Sequence, residues 1–221
     1  MSALRLVCIS DTHGLHREFT MPEGDVLVCA GDLCSYGKVE EVASFGRWLR
    51  SLPYARKIVV AGNHDRPFER DRWGAAHALG EGVVYLQDDA HEYRGVKFYG
   101  SPWQPQFFDW SFNLPRGEPL ARVWAKIPND TDVLITHGPP HGILDQSLFQ
   151  DARMGCEDLA LRVKQVRPCV HVFGHNHGGY GTMERDGTTF VNAALLTDKY
   201  EPGNRQPIVV VGSPRTPETP E

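Results

Sequence analysis

The stretch LRLVCISDTH, residues 4–13, joins a mostly apolar run to two polar side chains, Asp11 and His13. A run that is apolar on consecutive positions is typical of a strand covered on both faces. Four later runs also end in carboxylate, amide or imidazole side chains: VLVCAGD at 26–32, KIVVAGNHD at 57–65, DVLITHG at 132–138 and CVHVFGHNH at 169–177. The loops at the carboxyl ends of strands in an open α/β sheet form the crevice where ligands bind. The pattern therefore predicts an α/β fold in which five polar clusters meet at one site.

The rest of the chain mixes helices with hairpins. Apolar residues at helical spacing predict helices over 40–51 and 156–166. Asp186-Gly187 predicts a two-residue hairpin turn, and Arg94-Gly95 is a weaker signal of the same kind. Further β-rich runs fall at 83–86, 96–99, 188–191 and 208–211. Early alternation of strands and helices with later hairpins indicates an α/β sandwich with mixed sheets.

We interpret residues 1–211 as a single domain. Residues 212–221 are rich in Pro, Thr and Glu without an apolar anchor, which predicts a disordered tail. The longest irregular stretch, residues 101–119, is rich in Pro, Trp and Phe. A loop of that length in a compact domain is expected to be functional or a packed cap.

Composition excludes several classes of protein. The chain has 221 residues and a net charge of −5, and 41% of its residues are hydrophobic. This balance suits a globular domain and disfavours binding to a nucleic-acid polymer or a membrane surface. No apolar run approaches the roughly 18 residues of a membrane span. The five cysteines are scattered and never form a Cys-x-x-Cys pair, so we expect reduced thiols and a cytoplasmic protein.

The residue types in the five clusters suit mixed nitrogen and oxygen ligation. Each cluster alone is a weak signal, because Asp-x-His and Gly-Asp are also common in turns; together, at five strand ends, they favour a metal site. Such ligands without sulfur suit Mn, Fe, Zn or Co. Two metals about 3.5–4 Å apart can share a carboxylate and a hydroxide, hold both ends of an in-line displacement at phosphorus, and lower the pKa of water from 15.7 to about 7.

At these residues the sequence resembles the calcineurin-like metallophosphoesterase superfamily. The motifs Asp-x-His, Gly-Asp, Gly-Asn-His-Asp/Glu, a later His-Gly and Gly-His-x-His are present, complete and in order. Further strings, including SPWQP at 101–105 and HGPP at 137–140, resemble the metallophosphoesterase-domain-containing protein subfamily. The match extends from about Leu4 to Asn192. The resemblance implies a four-layer α/β/β/α sandwich with mixed β-sheets.

The resemblance also implies two divalent metal ions, with manganese expected and iron, zinc or cobalt as alternatives. The two ligand sets share one carboxylate, and they are Asp11, His13, Asp32 and His177 for the first metal, and Asp32, Asn63, His137 and His175 for the second. His64 is the implied catalytic residue, which would donate to the leaving oxygen or steady the transition-state charge. Asp65 is expected to support its loop through an ion pair or a hydrogen bond.

Departures from the superfamily's protein phosphatases bear on the substrate. Ser35 stands where those enzymes have an Asp that orients the catalytic histidine, Tyr36 stands where they have a phosphate-gripping Arg, and Ala61 replaces another Arg. Two divalent cations, two carboxylates and a hydroxide leave a net charge of about +1, which a diester monoanion balances and a monoester dianion overshoots. We therefore expect a preference for phosphodiesters.

The expected function is a dinuclear metal-dependent phosphodiesterase that attacks small phosphodiesters in line with a metal-bridging hydroxide. The subfamily's known activity on cyclic nucleotides and aryl phosphodiesters agrees with it. A phosphomonoesterase is the first alternative. A non-catalytic scaffold with a decayed site is another, although every ligand position is filled here. A nuclease is disfavoured by the acidic charge.

Some residues are candidates for contacts with substrate: Asn63, Tyr36, His141 and Trp103. The aromatic residues of the 101–119 stretch would either stack a base or pin the loop as a hydrophobic cap, and the cap is favoured. His171 alternates with apolar neighbours, so we expect it to pack inside a strand. Cys34 is expected near the metals as a bystander, and three histidines are expected at the surface: His16, His77 and His91.

Overall fold

The computed structural model describes residues 3–146 and 153–214. Its helices are α1 (Val39–Ser51), α2 (Arg66–Arg70), α3 (Arg72–Leu79), α4 (Glu118–Trp124) and α5 (Glu157–Val166). Its strands are β1 (Leu4–Ile9), β2 (Val26–Cys29), β3 (Arg56–Val59), β4 (Val83–Tyr85), β5 (Asp89–Tyr93), β6 (Val96–Ser101), β7 (Gln104–Pro105), β8 (Asn113–Leu114), β9 (Val133–Thr136), β10 (Val170–Phe173), β11 (Gly181–Arg185), β12 (Thr188–Asn192) and β13 (Ile208–Gly212).

Two mixed sheets form the centre of the molecule. The first has the strand order β13-β1-β2-β3-β4, in which β13 is antiparallel and the other four are parallel. The second has the order β11-β12-β10-β9-β6-β5, in which the two edge strands are antiparallel and the inner four are parallel. The carboxyl ends of the parallel strands carry the loops that follow the apolar runs.

Three apolar cores separate four layers. In β1, Leu6 and Cys8 face the second sheet, whereas Val7 and Ile9 face α1 and α3. The second sheet is covered on its outer face by α4 and α5. Because alternate residues of one strand enter different cores, both kinds must be apolar, which explains the near-continuous apolar runs. The predicted α/β/β/α sandwich with mixed sheets is confirmed.

The local predictions are mostly confirmed. The two predicted helices are α1 and α5, and the two predicted hairpin turns connect β11 to β12 and β5 to β6. Asp186, Gly187, Arg94 and Gly95 all have positive φ, as a type I′ turn requires. The surface prediction for His16 is wrong, because its side chain is buried and packs on Phe45 and Trp48, a contact between distant segments that local spacing does not reveal.

The 101–119 stretch is more ordered than its composition suggested, since it contains β7, β8 and the start of α4. The predicted tail, residues 212–221, lies outside the described residues from position 215 onward, and Gly212 is the last residue of β13. None of the helices within residues 3–146 and 153–214 has the length and apolarity that crossing a membrane requires.

Candidate metal centre

The five polar clusters lie at the carboxyl ends of β1, β2, β3, β9 and β10, where the two sheets meet. Backbone hydrogen bonds continue past the strand ends and fix the loops to one another: the amide of Asp11 donates to the Gly31 carbonyl (2.9 Å) and that of His13 to the Asp32 carbonyl (3.0 Å). In the second sheet the Gly174 amide donates to the His137 carbonyl (2.9 Å). The clusters are therefore held together by the backbone.

The two carboxylates are buried and held by backbone amides. Asp32 Oδ1 accepts from the His64 amide at 2.8 Å, which leaves Oδ2 3.7 Å from His13 Nε2 and 3.5 Å from His137 Nε2. Asp11 accepts from the His175 amide at 3.0 Å, and its Oδ1 lies 3.3 Å from His177 Nε2. Each carboxylate therefore directs an oxygen at imidazoles that come from a different loop.

Backbone carbonyls fix two of the imidazoles. His137 Nδ1 donates to the Ala30 carbonyl (2.8 Å) and His177 Nδ1 to the Thr197 carbonyl (3.0 Å), so Nε2 is the nitrogen that faces the centre in both rings. Asn63 Oδ1 lies 2.9 Å from His137 Nε2 and 2.8 Å from His175 Nδ1. This arrangement of an outer hydrogen bond and an inward nitrogen is the usual setting of a metal-binding histidine.

Unusual backbone conformations concentrate in the same loops. Asp11, His13, Asp32 and His175 have φ values of 53°, 41°, 53° and 62°, in the left-handed region that non-glycine residues rarely adopt. Such residues persist where the surrounding structure holds them, often at functional sites. Gly62 is required for a related reason, since a Cβ there would lie 2.3 Å from Asp32 Oδ1.

The electrostatics of the cluster favour bound positive charge. Burial opposes ionisation of the Asp32 carboxyl, but the neighbouring His137 holds its pKa well below the usual value. Burial likewise opposes ionisation of Asp11, and His177 brings its pKa down to about 2. Burial would lower the pKa of His137, yet the charge of Asp32 raises it to about 9. A cation bound among these side chains would therefore meet two ionised carboxylates.

The donor set fits divalent cations. Three overlapping groups bring ligand atoms within 4.8 Å of one another, and they are Asp11, His13 and His177; His13, Asp32 and His64; and Asp11, Asp32 and His137. All of these residues are buried except His64, which is half-buried, and they offer oxygen and nitrogen without sulfur, as Mn, Fe, Zn or Co prefer. Burial lowers the pKa of His13 to about 4 and that of His175 to about 3, so both rings are neutral and able to ligate near pH 7.

His64, the half-buried member of these groups, is oriented by hydrogen bonding and ring contacts. Its Nδ1 donates to the Ser35 carbonyl (3.0 Å), which leaves Nε2 to hold or release a proton. The ring meets His13 edge-on at 4.5 Å and stacks on the Trp110 indole. The Ser35 hydroxyl donates to the His13 carbonyl instead. The backbone of Ser35 thus provides an acceptor for the histidine although its side chain is not a carboxylate.

Asp65 supports the loops, as expected. Its buried carboxylate accepts from the amides of Leu33 (3.2 Å), Cys34 (2.9 Å) and Gly62 (2.8 Å), which ties the β2 loop to the β3 loop. Burial and the charge of Asp32 raise its pKa to about 6. Cys34 is buried with its thiol against the Lys38 carbonyl, and burial raises the thiol pKa, so it stays protonated.

Two cavities flank the cluster. One, of about 330 Å³, is lined by His13 and His64 together with Tyr36 and Tyr200. The other, of about 200 Å³, is lined by His175, Phe107 and Arg116 among other residues. The candidate contact Tyr36 therefore borders the first cavity, and the 101–119 stretch contributes to the second.

The other candidate substrate contacts lie elsewhere. His141 lines a separate cavity of about 290 Å³ beside α5 and the β11–β12 hairpin. Trp103 is half-buried, and its Nε1 donates to Asp88 at 3.0 Å, as expected of a packed cap. Among the described residues, neither lines the two cavities that flank the cluster.

Sequence reasoning missed Tyr200. Its ring centroid lies 4.9 Å from that of His13, 5.2 Å from that of His177 and 6.4 Å from that of His64. The residue follows β12, whose carboxyl end points to the same edge as the five clusters. The strand-end rule would have covered this loop, but tyrosine is not a typical ligand of these metals and gave no signal.

This fold and donor set define a metal-dependent phosphoesterase. Residues 4–179 match the calcineurin-like phosphoesterase family, and the chain belongs to that family. Its members typically use two metal ions, and the candidate ligand groups here agree with that requirement.

Among its relatives is human metallophosphoesterase domain-containing protein 1, which is 42% identical over 234 residues, 96% of this chain and 72% of that protein. The UPF0046 protein K07C11.7 of Caenorhabditis elegans is 44% identical over 86% of this chain and 69% of its own length. The fold is shared with TT1561 of Thermus thermophilus, with a TM-score of 0.60 at 15% identity over 88% of this chain and 92% of that one.

Proposed function

We propose that this protein is a dinuclear metal-dependent phosphodiesterase that hydrolyses small, cyclic-nucleotide-like phosphodiesters. The observation that carries the proposal is the position of Asp32 Oδ2, 3.7 Å from His13 Nε2 and 3.5 Å from His137 Nε2. An oxygen that lies near imidazoles of both proposed ligand sets is placed where Asp32 would serve as a ligand in each set. The proposed sets are Asp11, His13, Asp32 and His177 for one cation, and Asp32, Asn63, His137 and His175 for the other.

The chain's own residues prepare the site for this chemistry. Two divalent cations, proposed to be manganese, would supply a water of lowered pKa and the charge that balances a phosphoryl group. Asp32 and Asp11 are preorganised by the amides of His64 and His175, so their oxygens need little movement to bind. The Ala30 and Thr197 carbonyls hold the His137 and His177 rings in the ligating orientation.

Hydrolysis of a diester forms one P–O bond, breaks another and moves protons between oxygens. The oxygen of water bonds to phosphorus and gives up a proton, the ester bond to the leaving group breaks, and the leaving oxygen takes a proton. We assign the second proton to His64 Nε2, because Nδ1 is committed to the Ser35 carbonyl. An acyclic diester gives an alcohol or phenol and a phosphomonoester, whereas a cyclic diester opens to a single phosphomonoester that keeps the freed hydroxyl.

A preference for diesters over monoesters has two supports. The first is charge. Arg116 is the single Lys or Arg among the described residues that line the two flanking cavities. Its guanidinium already pairs with Glu157 at 2.5 Å. Among these described lining residues, a monoester dianion would therefore meet no unpaired Lys or Arg. The second is shape, because a diester has two substituents on phosphorus and the cluster has a cavity on each flank.

One assay panel tests the proposal. Metal-free protein is reconstituted with Mn²⁺ and offered bis(p-nitrophenyl) phosphate, p-nitrophenyl phosphate, and 2′,3′- and 3′,5′-cyclic AMP. We expect turnover of the diesters, with kcat/KM at least tenfold above that of the matched monoester. An equal or higher kcat/KM on the monoester would overturn the diester preference. Full metal occupancy without turnover of any ester would favour a binding scaffold.

We also propose a cytoplasmic location. All five cysteines are free thiols, and four of them are buried. Reduced thiols persist in the cytosol, whereas an oxidising compartment favours disulfides. The substrate proposed here is a small molecule, with neither a membrane nor a nucleic-acid polymer as partner.

A further inference from the structure

The larger flanking cavity is walled by aromatic and aliphatic side chains. Leu15, Tyr36 and Tyr200 are large apolar residues that remain exposed, at 38%, 81% and 51%, and all three line this cavity. Single exposed apolar side chains are common on protein surfaces. A group of them around one concave site indicates a ligand-binding site. The cavity, about 330 Å³, lies at the lower end of the size range of small-molecule pockets.

Tyr200 is held over the cluster by the loop that also orients a candidate ligand. The Thr197 carbonyl accepts from His177 Nδ1 at 3.0 Å and from the Tyr200 amide at 2.8 Å. Tyr200 has a φ of 59°, a conformation that costs a bulky residue free energy and requires support from its surroundings. Its place beside the histidines is therefore built into the loop.

The side chains that line this cavity suit an uncharged ring. Among its lining residues in the described chain there is no Lys, Arg, Asp or Glu. The tyrosines offer flat π faces, and base or aryl stacking on such faces is a strong and sequence-tolerant interaction. A second phosphate in this cavity would meet no Lys or Arg side chain among those lining residues.

His64 decides which end of the substrate enters this cavity. It lines the cavity and is the residue assigned to protonate the leaving oxygen, so the leaving group must lie on this side. The retained substituent then points to the smaller cavity beside His175, which Phe107 borders. The two cavities thus distinguish the two ester groups of an unsymmetrical diester.

We propose that Tyr200 and Tyr36 form the walls of a leaving-group pocket and act as specificity-determining residues, Tyr200 by stacking on an aromatic ring, either a base or an aryl group, that the leaving group carries. This inference rests on the proposed diesterase activity. In the step it describes, the oxygen of water bonds to phosphorus and gives up a proton, the bond from phosphorus to the leaving oxygen breaks, and the leaving oxygen takes a proton.

The test uses p-nitrophenyl methyl phosphate, in which the leaving group has the single ring. The Mn²⁺-loaded wild type is compared with Tyr200→Ala, Tyr200→Phe, Tyr36→Ala and, as an aromatic control remote from the cavities, Trp73→Ala on α3. We expect kcat/KM to fall about tenfold in Tyr200→Ala, mainly through KM, and to stay within twofold in Tyr200→Phe. Tyr36→Ala should fall severalfold, and Trp73→Ala should match the wild type.

Metal content is measured for every variant, because Tyr200 touches His13 and His177. Tyr36 makes no ring contact with those histidines among the described residues, so its effect separates ring recognition from disturbance of the metals. Equal kcat/KM in the wild type and both alanine variants would overturn this inference alone. A wild type that hydrolyses no diester would instead overturn the proposed function.

Discussion

The imidazole of His64 stacks on the indole of Trp110, with ring centroids 4.1 Å apart and an angle of 28° between the planes. The Arg66 guanidinium also lies over that indole, 5.2 Å from the ring centroid. Together with the hydrogen bond from His64 Nδ1 to the Ser35 carbonyl, the stack fixes both the plane and the rotation of the histidine. The 101–119 stretch, which contains Trp110, therefore contributes to the wall of the site as well as covering the core.

Replacing the histidine tests its assigned role. His64→Ala removes the proposed proton donor while all seven proposed ligands stay in place. We expect normal manganese content and a fall in kcat of about 100-fold or more on p-nitrophenyl esters, and a larger fall on substrates with poorer leaving groups. Metal analysis and steady-state kinetics check this. Unchanged kcat on a diester with an alkyl leaving group would remove His64 from the mechanism.

Trp110→Ala should weaken the positioning of His64 without removing it. An aromatic stack of this kind contributes about 0.5–1.5 kcal/mol, so we expect kcat to fall about three- to tenfold with KM and metal content nearly unchanged. Trp110→Phe keeps a π face and should recover most of the activity. A variant that loses metal in proportion to activity would show that Trp110 supports the fold of the site and not the histidine.

Asp32→Ala should abolish binding of both metals, because one side chain is assigned to both ligand sets. Asp11 remains, yet a single carboxylate among neutral imidazoles leaves each cation short of ligands and charge. Metal content after dialysis gives the result. Asp89→Ala, which removes an exposed carboxylate on β5, is the matched control and should retain two metals per chain. One full equivalent of metal retained by Asp32→Ala would contradict the bridging assignment.

Gly62→Ala should disrupt the centre although it removes no proposed ligand. Its Cβ would lie 2.3 Å from Asp32 Oδ1 and 2.6 Å from His137 Cε1, so both side chains must shift. We expect manganese affinity to fall by about 10- to 100-fold, as for other losses of ligand support. At Gly138 the nearest atom to an added Cβ is 3.5 Å away, so Gly138→Ala should bind metal as the wild type does.

The buried His171 predicts a pH dependence of stability. Burial lowers its pKa to about 3, whereas the unfolded chain has an ordinary value near 6.5. Between these values the unfolded state binds a proton that the folded state does not, so stability is fully present above about pH 6.5 and declines as the pH falls, at about 1.4 kcal/mol per pH unit for this group. His171→Phe should flatten the slope by that amount in urea unfolding of the metal-free protein between pH 6 and 4. Parallel slopes for the two proteins would contradict this.

The sequence predicted those features that depend on local residue order. Apolar runs ending in Asp, Asn and His placed five loops at one edge of the sheets because strand direction alone determines where a loop emerges. Helix α3 was missed although Asp71 caps its first turn through the Gly74 amide, since its alanine-rich face lacks a clear apolar stripe. The positive φ of Asp11 and His13 could not be predicted, because it depends on hydrogen bonds to a loop about twenty residues away.

The contacts of Trp110 and Tyr200 could not be predicted from the sequence either, because they also depend on segments that are distant in the chain. The sequence predicts that the aromatic residues of the 101–119 stretch stack a base or form a cap, and the structure shows one of them, Trp110, packed on His64. Tyr200 reaches the cluster through a loop whose course depends on the Thr197 carbonyl. Such relationships arise only when segments far apart in the chain are folded together.

The donors come from both sheets: the loops after β1, β2 and β3 supply one half of the centre, and those after β9 and β10 supply the other. A cation pair held by these residues would join the two halves of the molecule, and the folded state would gain binding free energy that the unfolded chain lacks. Cells starved of the metal would lose the protein itself, because a larger unfolded fraction is exposed to proteases. Metal supply would thereby govern abundance as well as turnover.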